Sequence, residues 1–200
     1  MKILSQGAEA IIYKKENYLV KERIKKGYRL PEIDSKLRKN RTKKEVKLIN
    51  ESRRNLVNVP SILNVDYKED KIEMEFIEGA VLKNILSGSK DREKICKDIG
   101  KQLARLHQAD IVHGDLTTSN LILHNKRIFF IDFGLAERSA RIEDKAVDLH
   151  LFKQALQSKH SKIAEDCFKH FKKGYMDYKN SKKVFERLTK IEKRGRYFKR

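Results

Sequence analysis

The chain has 200 residues, 39% of them hydrophobic, and sets 47 Lys and Arg against 28 Asp and Glu, for a formal net charge of +19. That length holds one substantial core or two smaller lobes. No apolar run approaches the roughly 18 residues of a membrane span, and the two cysteines have neither a CxxC nor a Cys/His spacing, which leaves no framework for structural zinc.

So basic a chain attracts polyanions: RNA, DNA, nucleotide phosphates or an acidic partner. Part of the charge is simply solvated helix surface, as in heat-adapted proteins. Cys96 and Cys167 stand far apart in sequence and read as buried, reduced thiols, which suits a cytoplasmic protein. The N-terminal "MKILSQGAEA" has too short an apolar run for a signal peptide.

The first segment reads as strands, with apolar runs at Ile3-Leu4, Ile11-Ile12-Tyr13 and Tyr18-Leu19-Val20. Gly7 breaks the first run from the second, and Glu16-Asn17 form a turn before the third. Pro31 opens a basic helix whose apolar face is Ile33, Leu37, Val46 and Ile49. A hairpin follows, alternating through Ile62, Val65 and Tyr67, then Ile72, Met74 and Phe76. After Gly79 the pattern turns helical, with Ile95, Ile99, Leu103 and Leu106 at helical spacing and Asp91 as the expected cap. "LILHNKRIFFID" supplies two short strands, and helices run from about Asp144 onward, with Asp148 expected to begin or anchor one. This order describes a small sheet lobe, 1-78, joined to a mostly helical lobe, 79-200, with a cleft expected near Glu78-Gly79.

Two stretches carry chemistry. "HGDLTTSN" places Asp115 and Asn120 on a loop, and "IDFG" places Asp132 after a short apolar strand. Two carboxylates and a carboxamide on loops around a hairpin suit Mg²⁺, which takes hard oxygen ligands and completes its shell with waters and nucleotide phosphates. Asp115 is then left to orient or deprotonate a hydroxyl or a water. His113 is expected to hold this loop by hydrogen bonds or packing, and His107 is expected to be structural.

In this order and spacing, His-x-Asp-x-x-x-x-Asn followed by Asp-Phe-Gly resembles the catalytic core of eukaryotic-type protein kinases. The resemblance implies an α+β, two-lobed minimal kinase-like fold, with a small antiparallel sheet and one helix in the first lobe and a reduced helical second lobe. It implies a phosphate-gripping lysine paired with a glutamate. Lys21 and Glu45 fit best; Lys14 and Lys15, and Glu32 and Glu51, are the alternatives. The phosphate-covering loop falls in "SQGAEA", which departs from the family's glycine-rich pattern by having only Gly7. The implied sites are Asp115 and Lys21 for catalysis; Gly7, Ala8, Glu9, Ala10, Lys21, Glu45 and Glu78 for ATP; and Asn120 and Asp132 for the metal.

"QGAEA", "VKERIKKGYRLPEID", "RTKKE", "HGDLTTSN", "IDFGLA" and the ending "KRGRYFKR" together look like the small atypical serine/threonine kinase family of the KEOPS complex, a relative of the RIO kinases. The resemblance covers nearly the whole chain. It implies ATP and Mg²⁺ as cofactors, the threonylcarbamoyl transferase subunit and other KEOPS subunits as partners, and service to threonylcarbamoyladenosine modification of tRNA.

Three departures from ordinary protein kinases stand out. Gly114 replaces the arginine that pairs with a phosphorylated activation loop, and no APE motif follows Asp132. Activation-loop phosphorylation is therefore not expected to control the chain. Thr117 stands where serine/threonine kinases have a lysine that steadies the transferred phosphoryl group, which favours ATP hydrolysis over transfer to peptide. In the tail, Lys193, Arg194, Arg196, Lys199 and Arg200 interleave with Tyr197 and Phe198, a pattern suited to tRNA phosphates and bases. The other readings are a RIO-type ribosome-maturation kinase, a small-molecule phosphotransferase and a catalytically silent RNA-binding scaffold.

Overall fold

The computed structural model describes residues 2–197, with side chains through residue 194. The chain divides into two compact units, Met1–Glu51 with Pro60–Glu78, and Ser52–Val59 with Gly79–Arg200.

The first unit is one antiparallel sheet and one helix. Strands β1 (Lys2–Gln6), β2 (Ala10–Lys15), β3 (Tyr18–Arg23), β4 (Ile62–Asp66) and β5 (Lys71–Glu75) lie in the order β1-β2-β3-β5-β4. β2 and β3 close over the two residues Glu16 and Asn17, and Glu16 takes a positive φ of 35°, as a tight hairpin requires. Lys14 and Lys15 are the last two residues of β2, beside that turn. β4 and β5 form the second hairpin, in which the Asp66 side chain accepts the N–H groups of Lys68 and Glu69. Val46, Ile72 and Met74 make the core, with Leu19, Ile62 and Val65 packed on it.

Helix α1 (Pro31–Arg54) corrects an expectation. Val46 and Ile49 are buried, but Ile33 and Leu37 are 52% and 37% exposed. The stripe that α1 buries over its first four turns is polar: Asp34, Arg38, Thr42 and Glu45. Its spacing is helical, so the geometry was legible, but charged pairs rather than hydrocarbon fill it. Arg38 Nε donates to Asp34 Oδ2 at 2.8 Å, and its Nη1 pairs with Asp70. The Arg38 guanidinium accordingly holds the Asp34 carboxyl below the usual carboxylate range.

The second unit is built on α3 (Arg92–Gln108), which buries Ile95, Ile99, Leu103 and Leu106 as their spacing predicts. Asp91 precedes α3, but its side chain makes no cap bond, because its backbone (φ −94°, ψ 14°) is not extended as a capping residue's must be. Around α3 lie β6 (Ala80–Val81), the short α2 (Leu82–Ile85), β7 (Ile111–Val112), β8 (Leu121–His124), β9 (Arg127–Phe130), β10 (Glu137–Arg138), α4 (Ile142–Lys159), α5 (Ala164–Tyr175) and α6 (Ser181–Tyr197). β6, β8 and β9 form one small sheet, and β7 pairs with β10.

α3 and α5 pack closely because glycines face backbone at their crossing. A Cβ on Gly100 would strike the Phe171 carbonyl oxygen, and one on Gly174 the Lys97 carbonyl oxygen. The same crossing brings Cys96 and Cys167 close to one another as free, buried thiols, a proximity that their sequence separation hid. Among the described residues, no helix is long and apolar enough to cross a membrane.

Candidate active site

In the second unit, the loop 113–120 runs from β7 to β8, and residues 131–136 run from β9 to β10. Asn120 Nδ2 donates to both the main-chain oxygen of Asp115, at 2.8 Å, and its Oδ2, at 2.9 Å. That bond spends the amide nitrogen of Asn120 and leaves its oxygen as the end for a hard cation. It also fixes the Asp115 carboxylate from one side. Asp132 takes the left-handed conformation (φ 60°, ψ 73°), and its Oδ1 accepts the N–H of Gly134 at 3.2 Å. A carboxamide oxygen and a carboxylate are the oxygen donors that Mg²⁺ takes from protein, so the residues present fit that ion.

His113 is fully buried and does hold the loop. Its Nδ1 accepts the N–H of Asp115 at 3.3 Å, so the proton sits on Nε2, which donates to the Ile131 carbonyl at 3.1 Å. One ring thereby ties the Asp115 loop to the strand end that carries Asp132. Phe133 packs 5.0 Å from it, centroid to centroid.

Asp148 corrects a second expectation. It does not begin a helix but lies inside α4, 1% exposed. Its carboxylate accepts the N–H of His113 at 2.6 Å and that of Gly114 at 2.8 Å. His107 approaches it at 3.1 Å through Nε2 and meets the Tyr175 hydroxyl through Nδ1 at 2.6 Å. Burial pushes the His107 pKa down, although Asp148 pulls the other way, so the ring is neutral and links α3 to the loop anchor. The sequence signal for Asp148 was a carboxylate in register with the buried Ala146, Leu149 and Phe152 of α4.

Gly114 has φ +77°, and a Cβ there would collide with the Leu135 carbonyl oxygen. A residue with a side chain does not fit, so the absence of arginine is a requirement of this backbone. Between Asp132 and Asp148 the chain has one hydroxyl residue, Ser139. Its Oγ donates to Asp144 Oδ2 at 2.6 Å and accepts the N–H of Arg141 at 3.1 Å, so it serves the start of α4.

In the first unit, Lys21 Nζ lies 2.6 Å from Glu45 Oε1, with both side chains buried. Arg23, two residues along β3 and on the same face, pairs with Glu45 Oε2. One carboxylate thus serves two cations. The sequence reading missed Arg23, although the period-2 alternation of a strand puts it beside Lys21. In the loop between β1 and β2, Gly7 donates its N–H to the Ala10 carbonyl at 3.0 Å. A Cβ on Gly7 would meet only that oxygen, at 3.7 Å, so the loop itself does not demand glycine there. Glu9 is engaged by Arg41 at 2.6 Å and by Arg29 at 3.4 Å. Glu78 is exposed at the end of the first unit. Lys193 and Arg194 are exposed on α6, while Lys199, Arg200 and the side chain of Arg196 lie outside the described residues.

The RIO domain family model matches residues 12–146. The KEOPS complex subunit Bud32 of Pyrococcus abyssi is 47% identical over 98% of this chain and 96% of its own length. A probable serine/threonine-protein kinase BUD32 homolog of Archaeoglobus fulgidus is 42% identical, covering 97% and 95% of the two chains. A probable bifunctional tRNA threonylcarbamoyladenosine biosynthesis protein of Methanobrevibacter smithii is 41% identical over 98% of this chain, which spans 36% of that longer protein. Among solved structures, WaaP in complex with acyl carrier protein aligns with a TM-score of 0.69 over 98% of this chain and 88% of its own, at 13% identity, a likeness of fold alone. The matched family model and the full-length relatives agree with the kinase-like motifs: the chain belongs to the RIO-domain family of atypical protein kinases and, within it, to the group of the KEOPS subunit Bud32.

Proposed function

We propose that the chain is a Mg²⁺-dependent atypical serine/threonine kinase and ATPase that serves a KEOPS-type assembly in the threonylcarbamoyladenosine modification of tRNA. The observation that carries the chemistry is the Asn120–Asp115 bond, which spends the amide nitrogen and leaves oxygen donors for the metal. In this reading Asn120 and Asp132 hold Mg²⁺, which neutralises charge on the nucleotide phosphates when bound. Lys21, buried against Glu45, grips the phosphates, and residues Gly7, Ala8, Glu9 and Ala10 form the loop over them. Asp115, fixed by Asn120, orients a hydroxyl or a water for attack. Glu78, as an ATP contact, and the junction at residue 78 as a lobe boundary belong to the same reading.

Thr117 supplies no cation for a peptide acceptor, and Gly114 supplies no arginine for a phosphorylated loop. The first favours ATP hydrolysis as the working reaction and the second removes control by a phosphorylated loop; the proposed setting is the cytoplasm, with the transferase and other KEOPS subunits as partners. The names of the relatives support this assignment. The basic end of α6, with Lys193 and Arg194 exposed and Arg196, Lys199 and Arg200 beyond, is the proposed tRNA arm.

ATP turnover measured with and without tRNA and the transferase subunit tests the proposal. Steady, burst-free turnover that far exceeds any phosphoprotein formed, lost in Asp132→Ala and in Asp115→Asn, is expected. Strict dependence of turnover on a protein acceptor would overturn the hydrolytic reading.

A further inference from the structure

A loop that covers nucleotide phosphates needs both close backbone approach and a fixed position. Glycine-rich loops supply the first readily, but here Gly7 is the one glycine between Ser5 and Ala10. What the loop has instead is a set of anchors. Lys26 Nζ binds the Ala8 carbonyl oxygen. The Glu9 carbonyl accepts the N–H of Ile24 at 3.1 Å. The Glu9 carboxylate receives Arg41 Nη1 on Oε2 at 2.6 Å and Arg29 Nη2 on Oε1 at 3.4 Å. Arg29 in turn reaches Asp34 in the first turn of α1, at 3.4 Å. Arg41 lies on α1 one turn before Glu45, which holds Lys21.

We infer that Glu9 is a positioning residue, clamped by Arg29 and Arg41, that locks the phosphate-covering loop to the helix that also sets Lys21. Each oxygen of its carboxylate is engaged by one of the two arginines. The inference rests on reading residues 5–10 as that loop, and it makes α1 the common support of loop and lysine. The two contributions are separable by sign. A carboxylate beside bound phosphates acting only through its charge repels them, so its removal tightens ATP binding. A carboxylate acting as an anchor does the reverse, because its removal frees the loop.

The test is a mutant cycle of Glu9→Ala, Arg29→Ala/Arg41→Ala and the three together, in the full chain. Two measurements are made: deuterium exchange of the peptide covering residues 5–12 without nucleotide, and steady-state ATP turnover. Faster exchange in every variant is expected, as is a three- to tenfold higher KM for ATP with kcat within twofold. In exchange of residues 5–12 the triple variant should be no worse than Glu9→Ala, since both cations reach this loop through the Glu9 carboxylate, whereas the Arg29–Asp34 contact lies outside it. Unchanged exchange, a lower KM in Glu9→Ala, or additive increases in exchange of residues 5–12 in the triple variant would each overturn the clamp. Exchange reads the clamp whether or not the chain turns over ATP, so failure of the nucleotide reading shows separately, as a wild type without turnover.

Discussion

The Asp148 carboxylate accepts the consecutive main-chain N–H groups of His113 and Gly114, one on each oxygen. A side chain in α4 thus sets the backbone from which Asp115 projects. Hydrogen bonds to a buried charged group are worth about 1.5–3 kcal/mol each. Asp148→Asn turns one acceptor into a donor facing an N–H. We expect a loss of about 2–4 kcal/mol in urea unfolding, and at least tenfold in kcat with the KM for ATP within threefold. An equal loss in KM and kcat would mean that Asp148 shapes nucleotide binding as well.

Gly114 gives a second prediction. Its positive φ and the Leu135 carbonyl beside it leave no space for a Cβ. Gly114→Ala should cost about 1–3 kcal/mol and most of the turnover. Gly114→Arg, which restores the residue of regulated kinases, should be at least as damaging and should gain no response to phosphorylation. A stable, active Gly114→Arg chain would show that the loop relaxes away from Leu135.

The α3–α5 crossing opposes intrinsic propensity. Alanine in place of a mid-helix glycine adds roughly 1 kcal/mol of helix stability. At Gly100, however, the added methyl meets the Phe171 carbonyl oxygen, which is backbone and cannot turn aside. Gly100→Ala should therefore lower the melting temperature, with a net cost of about 1–3 kcal/mol. A rise in Tm would mean that the helices separate at no cost.

The pH dependence has a definite sign. Burial lowers the pKa of both His107 and His160. These rings stay neutral in the folded state but take up a proton in the unfolded chain below its pKa of about 6.5. Folding stability that is complete above that value must fall as pH drops toward the folded pKa. Melting temperature should thus decline from pH 8 to pH 5, and His107→Gln/His160→Gln should flatten the decline. Asp34, whose carboxyl is held low, stabilises the fold throughout this range, and that stability is lost only at more acidic pH as the carboxyl takes up its proton. A slope unchanged in the double variant would assign the pH effect to other groups.

Local chemistry made much of this protein legible in the chain. Short apolar runs marked β1 to β3, alternation marked β4 and β5, helical spacing marked α3, and the fixed separations in "HGDLTTSN" and "IDFG" singled out Asp115, Asn120 and Asp132. These features depend on neighbours along the chain, so sequence periodicity carries them. The Lys21–Glu45 pair was also found, because the family pattern named both residue types and their order.

What only the tertiary structure decided are contacts whose partners are remote in sequence and whose chemistry mimics something else. The apolar residues Ile33 and Leu37 promised a buried face, yet α1 buries Asp34, Arg38 and Thr42 there, because Asp70 and the paired side chains satisfy the charges that burial would otherwise penalise. Asp148 resembled a helix start, but two N–H groups 34 and 35 residues away made it a loop anchor. Cys96 and Cys167 met through a glycine crossing that hydrophobicity does not encode. Apart from the buried Thr42 hydroxyl, a polar or small group in each case found a compensating partner remote in sequence, and that compensation is a property of packing rather than of any stretch of sequence.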